Sequence, residues 1–283
     1  MFKIPRRIHE ISEAFRLAHG FLLDFPGDPA SCNASELAAL IPVSDATVTR
    51  FIRRRFVSPS PASASMKPVV LLINPNTSEA STAMMHRLAR ATLPEAFALQ
   101  SETATRGAPM ITSSEELAVS VQEVVAIGRR RAADVAAIVI AAFGNPGLET
   151  LRHDVAVPVF GIGEASMREA ARAGRRFGVA TTTPGLEASI TAAVAALGLA
   201  ACFSGCRIPS GDPLKLASNP GLQDAYLAQA VEACIHQDGA EAVVIGGGPL
   251  AQSAERLGPR FAIPVISPVA AAMRAVAATL RAS

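Results

Sequence analysis

The chain has 283 residues, half of them apolar, with 26 basic and 24 acidic side chains and a formal net charge of +2. That is enough apolar material for one large or two small cores, while no apolar run reaches the length of a membrane span. Residues 1–65 carry 8 basic and 6 acidic side chains, leaving 18 of each in the remainder, so the larger part offers no electrostatic basis for a nucleic-acid surface. The four cysteines (Cys32, Cys202, Cys206, Cys234) have neither CxxC nor zinc spacing, and the N-terminus lacks a signal-type apolar segment. The expectation is a cytoplasmic protein with reduced thiols and no metal site.

The first 56 residues differ in character from the rest. Residues 34–40 read as a short helix, Ile41-Pro42-Val43 as a turn, and Ala46 to Arg54 as a second helix capped by Ser44 or Asp45, with Arg50, Arg53 and Arg54 projecting outward as candidate DNA contacts. The segment Asn33 to Phe56, with Ile4-Pro5-Arg6-Arg7 and Phe21-Leu22-Leu23-Asp24 before it, resembles the helix-turn-helix domain of the RpiR family of bacterial regulators. That family's domain continues with further helices, whereas here a Ser/Pro linker over 57–66 follows at once. A fragment this short struggles to bury a core. The favoured reading is therefore a truncated remnant or mis-called start ahead of Met66, with DNA a possible but disfavoured partner.

From 67 onward strands and helices alternate. Strand 69–73 ends in Asn74-Pro75-Asn76-Thr77-Ser78 and leads into a helix from Glu79 to Thr92. Strand 97–104, helix 115–131, strand 136–144, helix 147–153, strand 157–163 and helix 164–174 complete a first half. Strands near 177–183, 201–208, 240–247 and 263–267, with helices 185–197, 221–237, 250–257 and 269–281, form a second. The halves, about 67–174 and 175–283, echo each other: Val157-Pro158-Val159 and Ile263-Pro264-Val265 lie 106 residues apart, as do Met167-Arg168 and Met273-Arg274. This predicts an α/β fold of two pseudo-symmetric, Rossmann-like lobes with parallel sheets and an interlobe cleft, preceded by the short all-α segment.

Ligands of open α/β sheets bind at strand C-termini. Two such ends stand out, Ala142-Phe143-Gly144-Asn145 after one buried strand and Gly246-Gly247-Gly248-Pro249 after its counterpart. Asn74, Asn76 and Thr77 leave the first strand, and Thr181 and Thr182 leave its counterpart, offering uncharged hydrogen-bonding groups. With Phe143, Gly144, Asn145, Gly247 and Gly248 these make the candidate binding set. Backbone N–H groups at Gly247 and Gly248 would suit a carboxylate or incipient enolate. Glu164 is the candidate base, with a first-turn helix role as the competing reading. His153 reads as a surface residue, and Arg106 as either a carboxylate clamp or a solvated side chain.

Ile73-Asn74-Pro75-Asn76-Thr77-Ser78, Phe143-Gly144-Asn145-Pro146-Gly147-Leu148, Gly163-Glu164-Ala165, Asp238-Gly239-Ala240-Glu241 and Pro264-Val265-Ile266 together resemble the aspartate/glutamate/hydantoin racemase superfamily over 67–283, the hydantoin and allantoin racemase branch above all. The resemblance implies two α/β lobes, no cofactor, and two cysteines facing each other across the cleft to remove and return an α-proton. It places those cysteines at Ala142 and Gly247, and neither carries a thiol. Two-base racemisation needs an acid and a base on opposite faces of the carbon, which a methyl and a hydrogen do not supply. Three functions stay open: a racemase-type isomerase acting on a small cyclic amide (hydantoin-like) or amino acid, a cysteine-less hydrolase or lyase using Glu164, and a metabolite-sensing regulator. The expected ligand is anionic or an imide, and the expected assembly a homo-oligomer.

Overall fold

The computed structural model describes residues 67–282. The helix-turn-helix-type segment, with Arg50, Arg53 and Arg54, and the linker lie outside the described residues. In order the elements are β1 (Val69–Asn74), α1 (Glu79–Thr92), β2 (Ala98–Thr103), α2 (Ser114–Arg131), β3 (Ala137–Ile140), α3 (Leu148–Asp154), β4 (Val159–Gly161) and α4 (Ile162–Ala170). After them come β5 (Phe177–Ala180), α5 (Glu187–Ala196), β6 (Phe203–Arg207), α6 (Pro213–Ala217), α7 (Pro220–His236), β7 (Ala242–Ile245), α8 (Ala251–Leu257), β8 (Val265–Ile266) and α9 (Pro268–Ala282). Two four-stranded parallel sheets result, ordered β2-β1-β3-β4 and β6-β5-β7-β8, so the second repeats the strand order of the first.

The central strands are apolar on both faces because helices cover both, as a parallel sheet requires. Val70, Leu72 and Val139 face one cluster, while Leu71, Ile73, Ile138 and Ile140 face the other, packed with Val124, Ile127 and Leu151 of α2 and α3. In the second sheet Val243 and Ile245 meet α7 and α8, and Ala242 and Val244 meet α4 and α5. Local capping sets the helix starts. Ser78 accepts from Ser81 N, Ser113 and Glu116 form a reciprocal capping box, and Asn219 accepts from Leu222 N ahead of Pro220.

The closing helices change sides. Met167 and Ala170 of α4 join the core of the second sheet, with Phe177, Val179 and Val244. Val269, Ala272, Met273 and Val276 of α9 join the core of the first, with Val70, Leu72 and Val139. The two helices also pack against each other. An expected helix over 164–174 that closes the first half is thus corrected in two respects. It runs 162–170, then breaks through a short 3₁₀ turn with Ala173 and Gly174 at φ of 57° and 75°, and it covers the other sheet. The expected strand 136–144 ends at Ile140, and the short helix α6, started by Asp212 and Pro213, falls where only a loop was expected.

Candidate active site

Two turns at strand C-termini form the centre. After β3, Ala141 N still donates to Ile73 O at 2.8 Å; the chain then reverses, with Asn145 N donating to Ala142 O at 3.0 Å and Asn145 in the left-handed region at φ 49°. After β7, Gly246 N donates to Ala180 O at 2.8 Å, and Gly247 follows at φ 156°. The turns abut. A Cβ on Gly248 would lie 2.6 Å from Ala141 O and 2.8 Å from Met85 Sδ, and one on Gly246 would lie 3.1 Å from Cε1 of Phe143. Ala142 and Gly247, both half-buried, are thereby flanked by residues in mutual contact.

Several expected ligand contacts have other work. Asn145 Oδ1 accepts from Gly163 N at 3.0 Å and from Glu164 N at 3.4 Å, capping α4 from a distant turn because its own N-cap, Gly161, has no side chain. Phe143 is a core residue, buried with Met167, Phe177 and Val179. Gly144 lies against Leu117, where a Cβ would come 2.3 Å from its Cδ2. Asn74 is fully buried; its amide nitrogen donates to Asn76 Oδ1 (2.8 Å), Ser78 O (3.2 Å) and Thr82 Oγ1 (2.9 Å), and its oxygen accepts from Asn76 N. Asn76 Oδ1 also accepts from Ser78 N, and Thr77 N donates to Ala108 O. The Asn-Pro-Asn-Thr segment is thus a self-bonded turn, and the ligand-contact reading of Asn74 is corrected by its spent amide.

Glu164, the candidate base, is engaged by two arginines. Arg152 holds Oε2 at 2.9 Å and Arg168 holds Oε1 at 2.8 Å, so the carboxylate is anchored between two guanidiniums. His153 is exposed beside Asp154. Arg106 pairs with Glu123, and that guanidinium, helped by the hydroxyl and N–H of Thr105, holds the Glu123 carboxyl below its ordinary value despite partial desolvation.

Hydroxyls and amides remain. Thr181 Oγ1 donates to Gly246 O at 2.7 Å and fixes the glycine turn to β5. Next to it Thr182 is fully buried, and its Oγ1 has no hydrogen-bond partner; the same holds for Ser267 Oγ, at the end of β8. Since β7 lies between β5 and β8, Thr182 and Ser267 follow the two strands on either side of the one that ends in the Gly246–Gly248 turn. Among the described residues the N–H groups of Gly247 and Gly248 donate to nothing. Sequence reasoning missed Ser267, because a serine before Pro268 reads as a helix cap and its unused hydroxyl shows only in three dimensions. The thiols do not compensate. Burial pushes both Cys206 and Cys234 up to about 12, with smaller contributions from nearby acids, and both pack within the second half. Among the described residues no three His, Cys, Asp or Glu side chains group as metal ligands would, and no helix is long and apolar enough to cross a membrane.

A family model described as Asp/Glu/Hydantoin racemase matches residues 70–276. The chain is 31% identical over 210 residues to a hydantoin racemase of Rhizobium meliloti, covering 74% of this chain and 87% of that one. It is 28% identical over 209 residues to a hydantoin racemase of Paenarthrobacter aurescens, covering 72% and 88%. Among solved structures, the allantoin racemase from Klebsiella pneumoniae superimposes with a TM-score of 0.72 at 29% identity, over 76% of this chain and 88% of that chain.

Proposed function

Because the chain belongs to the Asp/Glu/hydantoin racemase family, we propose that it takes a small cyclic amide or imide of the hydantoin kind between its two strand-end turns, and polarises it there without the two-thiol proton relay. The observation that carries this is the pair of buried, unpartnered hydroxyls of Thr182 and Ser267, which follow the strands on either side of β7 and its glycine turn. A buried hydroxyl without a partner costs about 1–3 kcal/mol, an expense repaid when a ligand with alternating carbonyl and N–H groups supplies that partner. The free N–H groups of Gly247 and Gly248 suit the oxygen that gains charge as an α-proton loosens. The base is what is missing. Ala142 and Gly247 stand where the family resemblance places two thiols, Cys206 and Cys234 are held protonated by burial, and Glu164 is bound to two arginines.

The protein therefore binds its ligand and exchanges the α-proton slowly. Calorimetric titration of the full chain with a 5-substituted hydantoin should show binding, while proton NMR in deuterated water should show little loss of the Cα signal. Ala142→Cys should raise the exchange; Gly247→Cys is the harder variant, because its backbone is in a region glycine prefers. Rapid exchange by the unmodified protein, lost in Glu164→Gln, would overturn this reading and make a carboxylate the base. Absence of hydantoin binding would remove its first half.

A further inference from the structure

The repeated Met-Arg pair has a use that the strand-end turns do not absorb. Arg168 of α4 and Arg274 of α9 hold equivalent places in the two halves, and both line one groove together with Arg152, Arg172, Glu164 and Glu169. Four guanidiniums against two carboxylates leave the lining with an excess of two positive charges. The carboxylates lie deeper than the cations: the side chains of Glu164 and Glu169 are 12% and 19% exposed, those of Arg168 and Arg274 55% and 48%. Each carboxylate grips its arginine by one edge. Arg168 gives Nε to Glu164 at 2.8 Å, and Arg274 gives Nε and Nη2 to Glu169 at 3.0 and 2.7 Å, across the join between the halves. The remaining N–H groups of both are left over, on side chains already fixed in place. Arg172 is exposed, and its side chain has no hydrogen-bond or ion-pair partner among the described residues. The wall between them is alanine (Ala165, Ala271, Ala275 and Ala278), and the cavity measures about 240 Å³. At roughly 30 Å³ per water that is room for about eight waters, or one small organic acid.

We propose that this groove between α4 and α9 is a binding site for a small dianionic oxyanion, a dicarboxylate or a phosphoryl group, held by Arg168, Arg172 and Arg274. Guanidinium matches both anions with paired N–H donors, and the carboxylate anchors remove much of the side-chain entropy cost of meeting them. A merely solvated arginine face would lack the alanine floor and the anchored orientation. An occupant would also be felt at the candidate active site, because the first amides of α4 are bonded to Asn145 in the strand-end turn.

The test uses the full chain at fixed ionic strength. Titration calorimetry and thermal unfolding are followed with succinate, inorganic phosphate and, as the monoanion control, acetate. Saturable binding of succinate or phosphate with a raised Tm, absent with acetate, is expected, and whichever dianion binds identifies the source. Arg172→Gln should weaken that binding at least tenfold while leaving the ligand-free Tm unchanged, since its side chain supports nothing. Arg168→Gln should weaken it similarly. The proposal is overturned if neither dianion binds, if acetate acts equally, or if affinity survives both substitutions.

Discussion

Gly163→Ala isolates the contact that joins the first strand-end turn to α4. A Cβ at Gly163 would stand 1.9 Å from the backbone oxygen of Phe143 and 3.1 Å from Asn145 Nδ2. Non-bonded Cβ contacts do not close below 3.0 Å, so the turn and the helix start must separate by at least about 1 Å. The obstacle is a carbonyl rather than a flexible side-chain end, which leaves no cheap escape. Alanine in place of a helical glycine gains up to about 1 kcal/mol. Against that, overpacking costs about 1–3 kcal/mol, and weakening the Asn145 cap on Gly163 and Glu164 about 0.5–2 kcal/mol. The loss wins by roughly 2 kcal/mol, a fall in Tm of about 4–8 °C for a body of this size. Circular dichroism of thermal unfolding measures it, with Gly221→Ala as the control, because a Cβ there meets nothing nearer than 3.8 Å. The same displacement moves the turn that carries Ala142, and a 1 Å error in a positioning segment costs about a hundredfold in rate. A Gly163→Ala protein that unfolds at or above the wild-type temperature refutes this reasoning.

Two further outcomes follow from titrating groups. With thiols pushed up to about 12, Cys206 and Cys234 should react with iodoacetamide at pH 8 about a thousandfold more slowly than unfolded thiols near 9, as peptide mass spectrometry before and after urea would show; rapid native labelling of either would contradict the burial argument. Their raised values also mean that the folded chain keeps protons the unfolded chain loses, so stability should fall as pH rises from about 9 toward 12. Glu116 works in the opposite direction. Its carboxylate accepts from Thr112 N at 2.6 Å, Thr112 Oγ1 at 3.0 Å and Ser113 N at 3.2 Å, which outweighs partial desolvation and holds it below 4.5. Glu116→Gln should lower the urea midpoint at pH 7 by an amount worth about 0.5–1 kcal/mol, and that gap should close as acid protonates the wild-type carboxylate below its lowered value; a gap unchanged at pH 3 would be the wrong result.

The fold was legible because its strands are. Val70 to Ile73, Ile138 to Ile140 and Val243 to Ile245 are apolar on both faces, a pattern that in short runs ending at Gly or Asn leaves little besides a covered parallel sheet. The 106-residue echo foretold two halves. It could not reveal which sheet each closing helix covers, because Met167 and Met273 present the same apolar face whichever core they enter. The strand ends that make up the candidate site were legible, and the bonding roles of their residues less so. Thr181, Thr182 and Gly247 sit at the expected strand ends, yet the Asn74 amide nitrogen and the Asn145 amide oxygen, which look free in sequence, are bonded to partners 8 and 18 residues away. The surroundings of Glu164 were half legible for the same reason: its i,i+4 partner Arg168 was readable, while Arg152 arrives only through the packing of α3 on β4.

The exchange of α4 and α9 has a consequence for how the chain is made. The face formed by Val70, Leu72 and Val139 is shared between Met85, Leu88 and Ala89 of α1, close by in sequence, and Val269, Ala272, Met273 and Val276 of α9, far later in the chain. Domains ordinarily mature from the N-terminus as they emerge; here the core of the first sheet is complete only once α9 (Pro268–Ala282) has joined it. Each sheet takes one covering helix from the other half of the chain, so neither half carries a complete core of its own.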